Sequence, residues 1–189
     1  MKCPQWVDYG HGRNGWIAVI RRASVAAMDH TPTLHLFCGK IGSGKSTLAG
    51  QVAAAPRTIL ICEDRLLANL YPHEIMTLED YVRCSDRLRR SIAPHIVELL
   101  RKGMSVALDF QANTISVRAW MRTLIEAADC NHQLHFLQTP DVICRERLAA
   151  RNASGEHEYQ VSDADFDLFS SYFVGPDPEE CFNVVVHGS

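Results

Sequence analysis

The chain has 189 residues, 47% of them apolar, and a formal charge of −3, which suits one globular domain burying roughly 70% of its unfolded surface. Residues 1 to 27 carry +3 (Lys2, Arg13, Arg21 and Arg22 against Asp8) and the remainder −6, a mildly acidic body that argues against a general polyanion binder. Seven scattered cysteines without a C-x-x-C and nine histidines without an H-E-x-x-H exclude a disulfide framework and a zinc-protease site, so the cysteines read as reduced thiols of a cytoplasmic protein.

No apolar run approaches the length that crosses a membrane. WIAVI (residues 16 to 20) is too short, and bracketed by basic residues, for a secretory segment. Residues 1 to 27 are therefore expected to be an extension ahead of a domain over 28 to 189, with Met28 just before the first core strand as an alternative start.

The first strand is expected over 33 to 38. It runs into Gly39 to Ser46, GKIGSGKS, and then a helix from Lys45 to about Ala55, which stops before Pro56. This is G-x-x-x-x-G-K-[ST] in its strand-to-helix context, with chance odds on the order of one in a thousand. Gly39, Gly42 and Gly44 let successive N–H groups turn inward onto phosphate oxygens at a helix N-terminus. Lys45 is suited to the β- and γ-phosphates and the Ser46 hydroxyl to Mg²⁺. Gly39, Gly42, Ser43, Gly44, Lys45, Ser46 and Thr47 form the expected nucleotide-binding set, with no side-chain role assigned to Lys40 or Ser43.

TILIC (58 to 62) is β-branched and apolar without alternation, as suits a buried parallel strand. Glu63, Asp64 and Arg65 follow at its carboxyl end, with a short helix through Leu70. Thr77 and Asp80 form a capping box for a long helix to Lys102, with Leu88, Ile92, Ile96, Leu99 and Leu100 as its apolar stripe, Pro94 as a kink and Gly103 as its end. The third strand spans 104 to 108 and is closed by Asp109. Val117, Trp120, Met121, Leu124, Ile125 and Ala128 carry the strongest helical period. Strand four spans 133 to 138, and His132, flanking it, and His135, within it, read as structural. Thr139 and Pro140 open a helix towards Arg151. Residues 152 to 160 read as a loop, Ser162 with Asp165 caps a last helix to about Phe173, and FNVVVH (182 to 187) is strand five.

Strands alternating with helices predict right-handed crossovers and a five-stranded parallel sheet in a three-layer α/β/α fold. Ligands then bind beyond the carboxyl ends of the strands, where the loop, Asp64 and Asp109 all emerge. Phosphoryl transfer needs an anion cradle, a metal, a group receiving the acceptor proton, and positive charge on the migrating phosphoryl. Asp64 is a candidate for the proton, Asp109 for Mg²⁺ or the acceptor, and Arg147 and Arg151 for the charge, with Arg145 on a solvated face. Either carboxylate alone reads as a helix cap; two converging on one loop favour chemistry. Arg83, Arg87 and Arg90 fall at i, i+4, i+7 and can face an anionic acceptor, although Asp80 and Asp86 make a solvated face the better expectation. Phe110, Gln111 and Asn113 are candidate pocket residues and, as loop residues, equally candidate caps.

GKIGSGKSTLA, the strand followed by Glu63 and Asp64, GMSVALD with Arg118 downstream, RERLAAR (145 to 151) and Ser162-Asp163-Ala164 together resemble the small P-loop kinases related to polynucleotide kinase, zeta toxin and gluconate kinase, a group that includes AAA-type ATP-binding proteins. The resemblance covers residues 33 to 187. It implies a nucleoside-kinase-like fold with a short lid, ATP and Mg²⁺ as cofactors, Asp64 as acceptor-side base, Asp109 by the metal and acceptor, and Arg147 and Arg151 on the lid. Two departures stand out. Asp64 continues RLL and lacks the arginine three residues on that a polynucleotide-kinase-like site uses for a substrate phosphate, and the chain is short for a zeta toxin. The expectation is therefore a phosphotransferase acting on a hydroxyl of an unidentified small molecule. A nucleic-acid 5′-end kinase and a nucleotide-gated ATPase or binding module are the alternatives.

Overall fold

Leu34, Leu36 and Cys38 turn to one face of the first strand and His35 and Phe37 to the other, so that Phe37 and its neighbours on both sides are fully buried. That strand, β1 (Thr33–Cys38), is the centre of a five-stranded, all-parallel sheet. The others are β2 (Thr58–Cys62), β3 (Ser105–Gln111), β4 (Asn131–Gln138) and β5 (Val184–Gly188), in the order β2-β3-β1-β4-β5. The computed structural model describes residues 31 to 154 and 161 to 188. The expectations for residues 1 to 27 and Met28, and the greater part of the predicted 152 to 160 loop, lie outside the described residues.

Among the described residues six α-helices connect the strands: α1 (Lys45–Ala53), α2 (Glu63–Leu70), α3 (Leu78–Arg101), α4 (Ile115–Ala128), α5 (Asp141–Ser154) and α6 (Asp163–Ser171). α1 covers one face, packing Ala49 with Phe37 and Ala107. α3 and α4 cover the other, where Leu88, Ile96, Leu100, Met121, Leu124 and Ile125 meet Leu34, Leu36, Val106, Leu108 and Leu134. Helices on both faces leave the carboxyl rim of the sheet as the open edge. None of the described helices is long and apolar enough to cross a membrane.

Both expected capping boxes form, Thr77 with Asp80 on α3 and Ser162 with Asp165 on α6. α3 continues as one helix through Pro94. β3 runs to Gln111 instead of closing at Asp109, and its register against β1 slips from Leu36↔Leu108 to Phe37↔Gln111. The irregularity leaves Asp109 and Phe110 without partners on β1 and turns the strand locally, as bulges beside sites do. α1 ends at Ala53 and β4 starts at Asn131, each two residues from its predicted limit.

A row of imidazoles crosses the α1 side of the sheet. His35 Nδ1 lies 3.2 Å from His135 Nε2, and His135 Nδ1 lies 2.9 Å from His187 Nε2. Phe37 stacks on His135 with centroids 5.1 Å apart. Enclosure and the neighbouring rings push the His135 pKa down to about 4, consistent with its structural reading.

Candidate active site

Gly42 and Gly44 take left-handed backbone angles, φ 78° and 103°, which a residue with a Cβ adopts at a cost. At Gly42 space is also short, since a Cβ would fall 2.6 Å from the Cys144 carbonyl oxygen. The loop is therefore moulded against the start of α5. Lys40 pairs with Asp141 at 2.6 Å. Thr139 Oγ1 and Arg147 Nη1 each donate to the Ser43 carbonyl at 3.0 Å, so the Thr139 hydroxyl is committed to the loop and not to capping α5. From the other side, Gly39 N donates to Asn113 Oδ1 at 2.9 Å. Asn113 is thus a brace for the loop instead of a pocket wall.

Lys45 folds back over this loop. Its Nζ donates to the carbonyls of Gly39 at 2.6 Å and Lys40 at 2.8 Å. Desolvation pushes its pKa down to about 8, opposed first by Asp109 and more weakly by Cys38, Cys144 and Asp64. Asp109, partly buried, has its pKa raised by desolvation, while the Ser46 hydroxyl and the Lys45 charge favour its carboxylate and the charge of Asp64 disfavours it. Asp64 is exposed in the first turn of α2. Its field on both Lys45 and Asp109 puts the three groups in one electrostatic neighbourhood.

Beside the loop lies a cavity of about 410 Å³ lined by Ser43, Gly44, Thr47, Leu48, Gln51 and Arg147, within the range of small-ligand sites. Ser43 Oγ is buried without a hydrogen-bond partner among the described residues, an orphan of the kind that a phosphate oxygen satisfies. A left-handed glycine loop at a helix N-terminus, a desolvated lysine and this hydroxyl fit a nucleotide tail. Ser46 and Asp109 together offer oxygen ligands of the type Mg²⁺ takes.

Several expected residues lie elsewhere. Arg145 does not sit free on a solvated face: it bridges to Asp163 at 2.7 Å and Asp167 at 2.5 Å and its guanidinium lies 4.2 Å from the Phe166 ring centroid, joining α5 to α6. Arg83 pairs with Asp80 and Arg90 with Asp86, each at 2.8 Å, and Arg87 is exposed, so the solvated-face expectation holds for this set. Phe110 is 1% exposed and stacks on Trp120, within the core instead of a pocket. Arg151 is partly buried near the end of α5. Two groups had no assigned role in the sequence, the buried Glu63 and Arg89, 3.4 Å apart.

Residues 34 to 176 match the family described as an AAA domain. Among curated proteins no match was found. Solved structures with the same fold include a protein from Chloroflexus aurantiacus j-10-fl, at TM-score 0.67 and 19% identity, covering 84% of this chain and 86% of that one. The Mycobacterium tuberculosis APS kinase CysC, solved with AMPPNP and APS, aligns at TM-score 0.55 and 20% identity over 84% of this chain and 88% of its own. A gluconokinase from Sinorhizobium meliloti 1021 aligns at TM-score 0.53 and 19% identity over 84% and 82%. At these identities the likeness is one of fold, the parallel α/β fold of P-loop kinases.

Proposed function

This chain belongs to the AAA-domain family of P-loop proteins, and from that premise we propose that it is an ATP- and Mg²⁺-dependent phosphotransferase acting on a hydroxyl of a small molecule. The observation that carries the reading is the grouping of Asp109, from β3, and Asp64, from the first turn of α2, around the desolvated Lys45. A loop that only bound nucleotide would need one carboxylate for the metal; the second faces outward, where an acceptor arrives.

In this reading the main-chain amides of the loop and Lys45 hold the β- and γ-phosphates. Ser46 and Asp109 would hold Mg²⁺, which supplies positive charge to the phosphate oxygens when bound. Asp64 takes the proton of the acceptor hydroxyl as the new O–P bond forms and the bond to the leaving diphosphate breaks. Arg147 and Arg151 bring positive charge from α5, Arg147 by leaving the Ser43 carbonyl. The kinases with this fold that are described as acting on APS and gluconate support a small acceptor. The acidic body supports it over a nucleic-acid end.

Transfer of labelled γ-phosphate against pooled metabolites, nucleosides, antibiotics and 5′-hydroxyl oligonucleotides tests this directly. A labelled small-molecule product is expected. Tight ATP binding with no product in any pool would overturn the proposal and leave a nucleotide-gated module.

A further inference from the structure

The surroundings treat one buried and one half-buried arginine on this face of the sheet differently. Arg118, fully buried, commits every N–H: Nε to Glu180 at 2.7 Å, Nη1 to the carbonyls of Ala112 at 2.9 Å and Val174 at 2.7 Å, and Nη2 to Gly175 at 3.2 Å and Glu180 at 2.8 Å. Arg89 reaches Glu63 with Nη2 at 3.4 Å, and its Nε is buried with no hydrogen-bond partner among the described residues. A buried donor left unanswered costs about 1–3 kcal/mol. Arg118 has the contacts of a structural residue, and Arg89 has donor capacity to give.

Its position is telling. Glu63 immediately precedes Asp64, and Phe110 immediately follows Asp109. Trp120 stacks on Phe110 at 5.8 Å and lies 5.9 Å from the Arg89 guanidinium. Arg89 thus touches Glu63, the residue before one site carboxylate, and reaches through Trp120 to Phe110, the residue after the other, with 19% of its side chain accessible. Glu63, 1% exposed, meets it only at the long distance of 3.4 Å, and desolvation raises the Glu63 pKa against the opposing Arg89 charge. Tyr81 donates to Glu63 at 3.2 Å, and the fully buried Ser85 Oγ lies beside that carboxyl but short of hydrogen-bond geometry. Tyr81, Ser85 and Arg89 fall at i, i+4, i+8 and line one side of α3.

We propose that Arg89 determines acceptor specificity, its guanidinium receiving a carboxylate or phosphate carried by the phosphoryl acceptor while Trp120 supports its plane; the inference rests on the phosphotransferase reading. Glu63, Asp64 and Asp109 crowd this rim with acidic groups, against which an anionic acceptor needs a fixed cation. A guanidinium offers parallel N–H groups that match either anion. An aromatic face beside it adds an attraction that survives desolvation. Arg83 and Arg90, already paired with Asp80 and Asp86, do not compete for the role.

The test uses the Arg89 Nε–H resonance in the ¹⁵N–¹H spectrum of the full chain. Sodium phosphate and sodium gluconate are titrated separately into two forms: the complex with Mg²⁺ and AMPPNP, which blocks the loop, and Lys45→Ala, which takes the lysine's charge from the loop's anion site. A saturable shift of Arg89 in either form, absent for glucose, is the expected result; no shift with either anion overturns the inference. Failure of AMPPNP to bind counts against the phosphotransferase reading alone, because the Lys45→Ala titration still reports on Arg89. With an acceptor in hand, Arg89→Met should raise the acceptor KM about tenfold or more with the ATP KM unchanged. Arg89→Lys, which keeps the charge and the helix, should recover part of it. An unaltered acceptor KM in Arg89→Met, or an acceptor without an anionic group, refutes the assignment.

Discussion

Arg118 and Glu180, 62 positions apart in the chain, meet through two short contacts of 2.7 and 2.8 Å. The pair joins α4 to the turn before β5 and closes the sheet's outer side. Removing one partner leaves a buried charge, so Arg118→Ala should lose about 3–5 kcal/mol of stability, read as a lower urea midpoint. Glu180→Gln should lose less, since the amide oxygen still accepts. Equal unfolding midpoints for wild type and Arg118→Ala would show that the pair contributes nothing.

Lys45 ties nucleotide affinity to pH. Its folded-state pKa of about 8 lies below the ordinary 10.5, so between those values the folded chain holds fewer protons than the unfolded one and stability rises with pH. Phosphate binding needs the ammonium, so its dependence runs the other way. Affinity for AMPPNP should be level below about pH 8 and decline above it, as calorimetry across that range can follow. Lys45→Met should weaken AMPPNP about 100-fold or more while making the empty protein more heat-stable at neutral pH, because a desolvated charge is gone.

Asp64 and Asp109 should separate cleanly. Asp64→Asn is expected to keep ATP binding and lower transfer by about 10²–10⁴, the usual worth of a positioned base. Asp109→Asn should instead raise the Mg²⁺ concentration needed for half-maximal rate. Full transfer by Asp64→Asn would remove it from the mechanism.

His135 sets an acid limit. Its folded pKa of about 4 lies below the ordinary 6.5, so as pH falls through 6.5 the unfolded chain takes up a proton that the folded chain refuses. Stability should drop between those values, by on the order of 3 kcal/mol at most. His135→Gln should flatten that part of a pH–stability curve.

Where local chemistry decides, the chain could be read directly. The glycine spacing of the loop, the β-branched run of β2 and the Thr77 and Ser162 caps are signals carried within a few residues, and each appears where expected. The errors arise where partners are distant. Asn113 is a brace only because β1 and β3 are neighbours, and Arg145 is an ion-pair partner only because α6 returns beside α5. The extension of β3 to Gln111 follows from pairing against Phe37, which no window around Asp109 contains. Arg89 did leave a trace. On a helical wheel it projects between Ile96 and Leu100, on the apolar side, while Arg83, Arg87 and Arg90 project away. A charge placed among leucines is the legible sign of a buried arginine.

The Ser43 carbonyl, held by both Thr139 and Arg147, has both lone pairs engaged. Helix α5 cannot tilt away from the loop without freeing that one oxygen, nor can the peptide there flip without releasing the helix. News of an arriving phosphate thus has a route to α5, and through Arg145 to its companion α6, that passes through one main-chain atom.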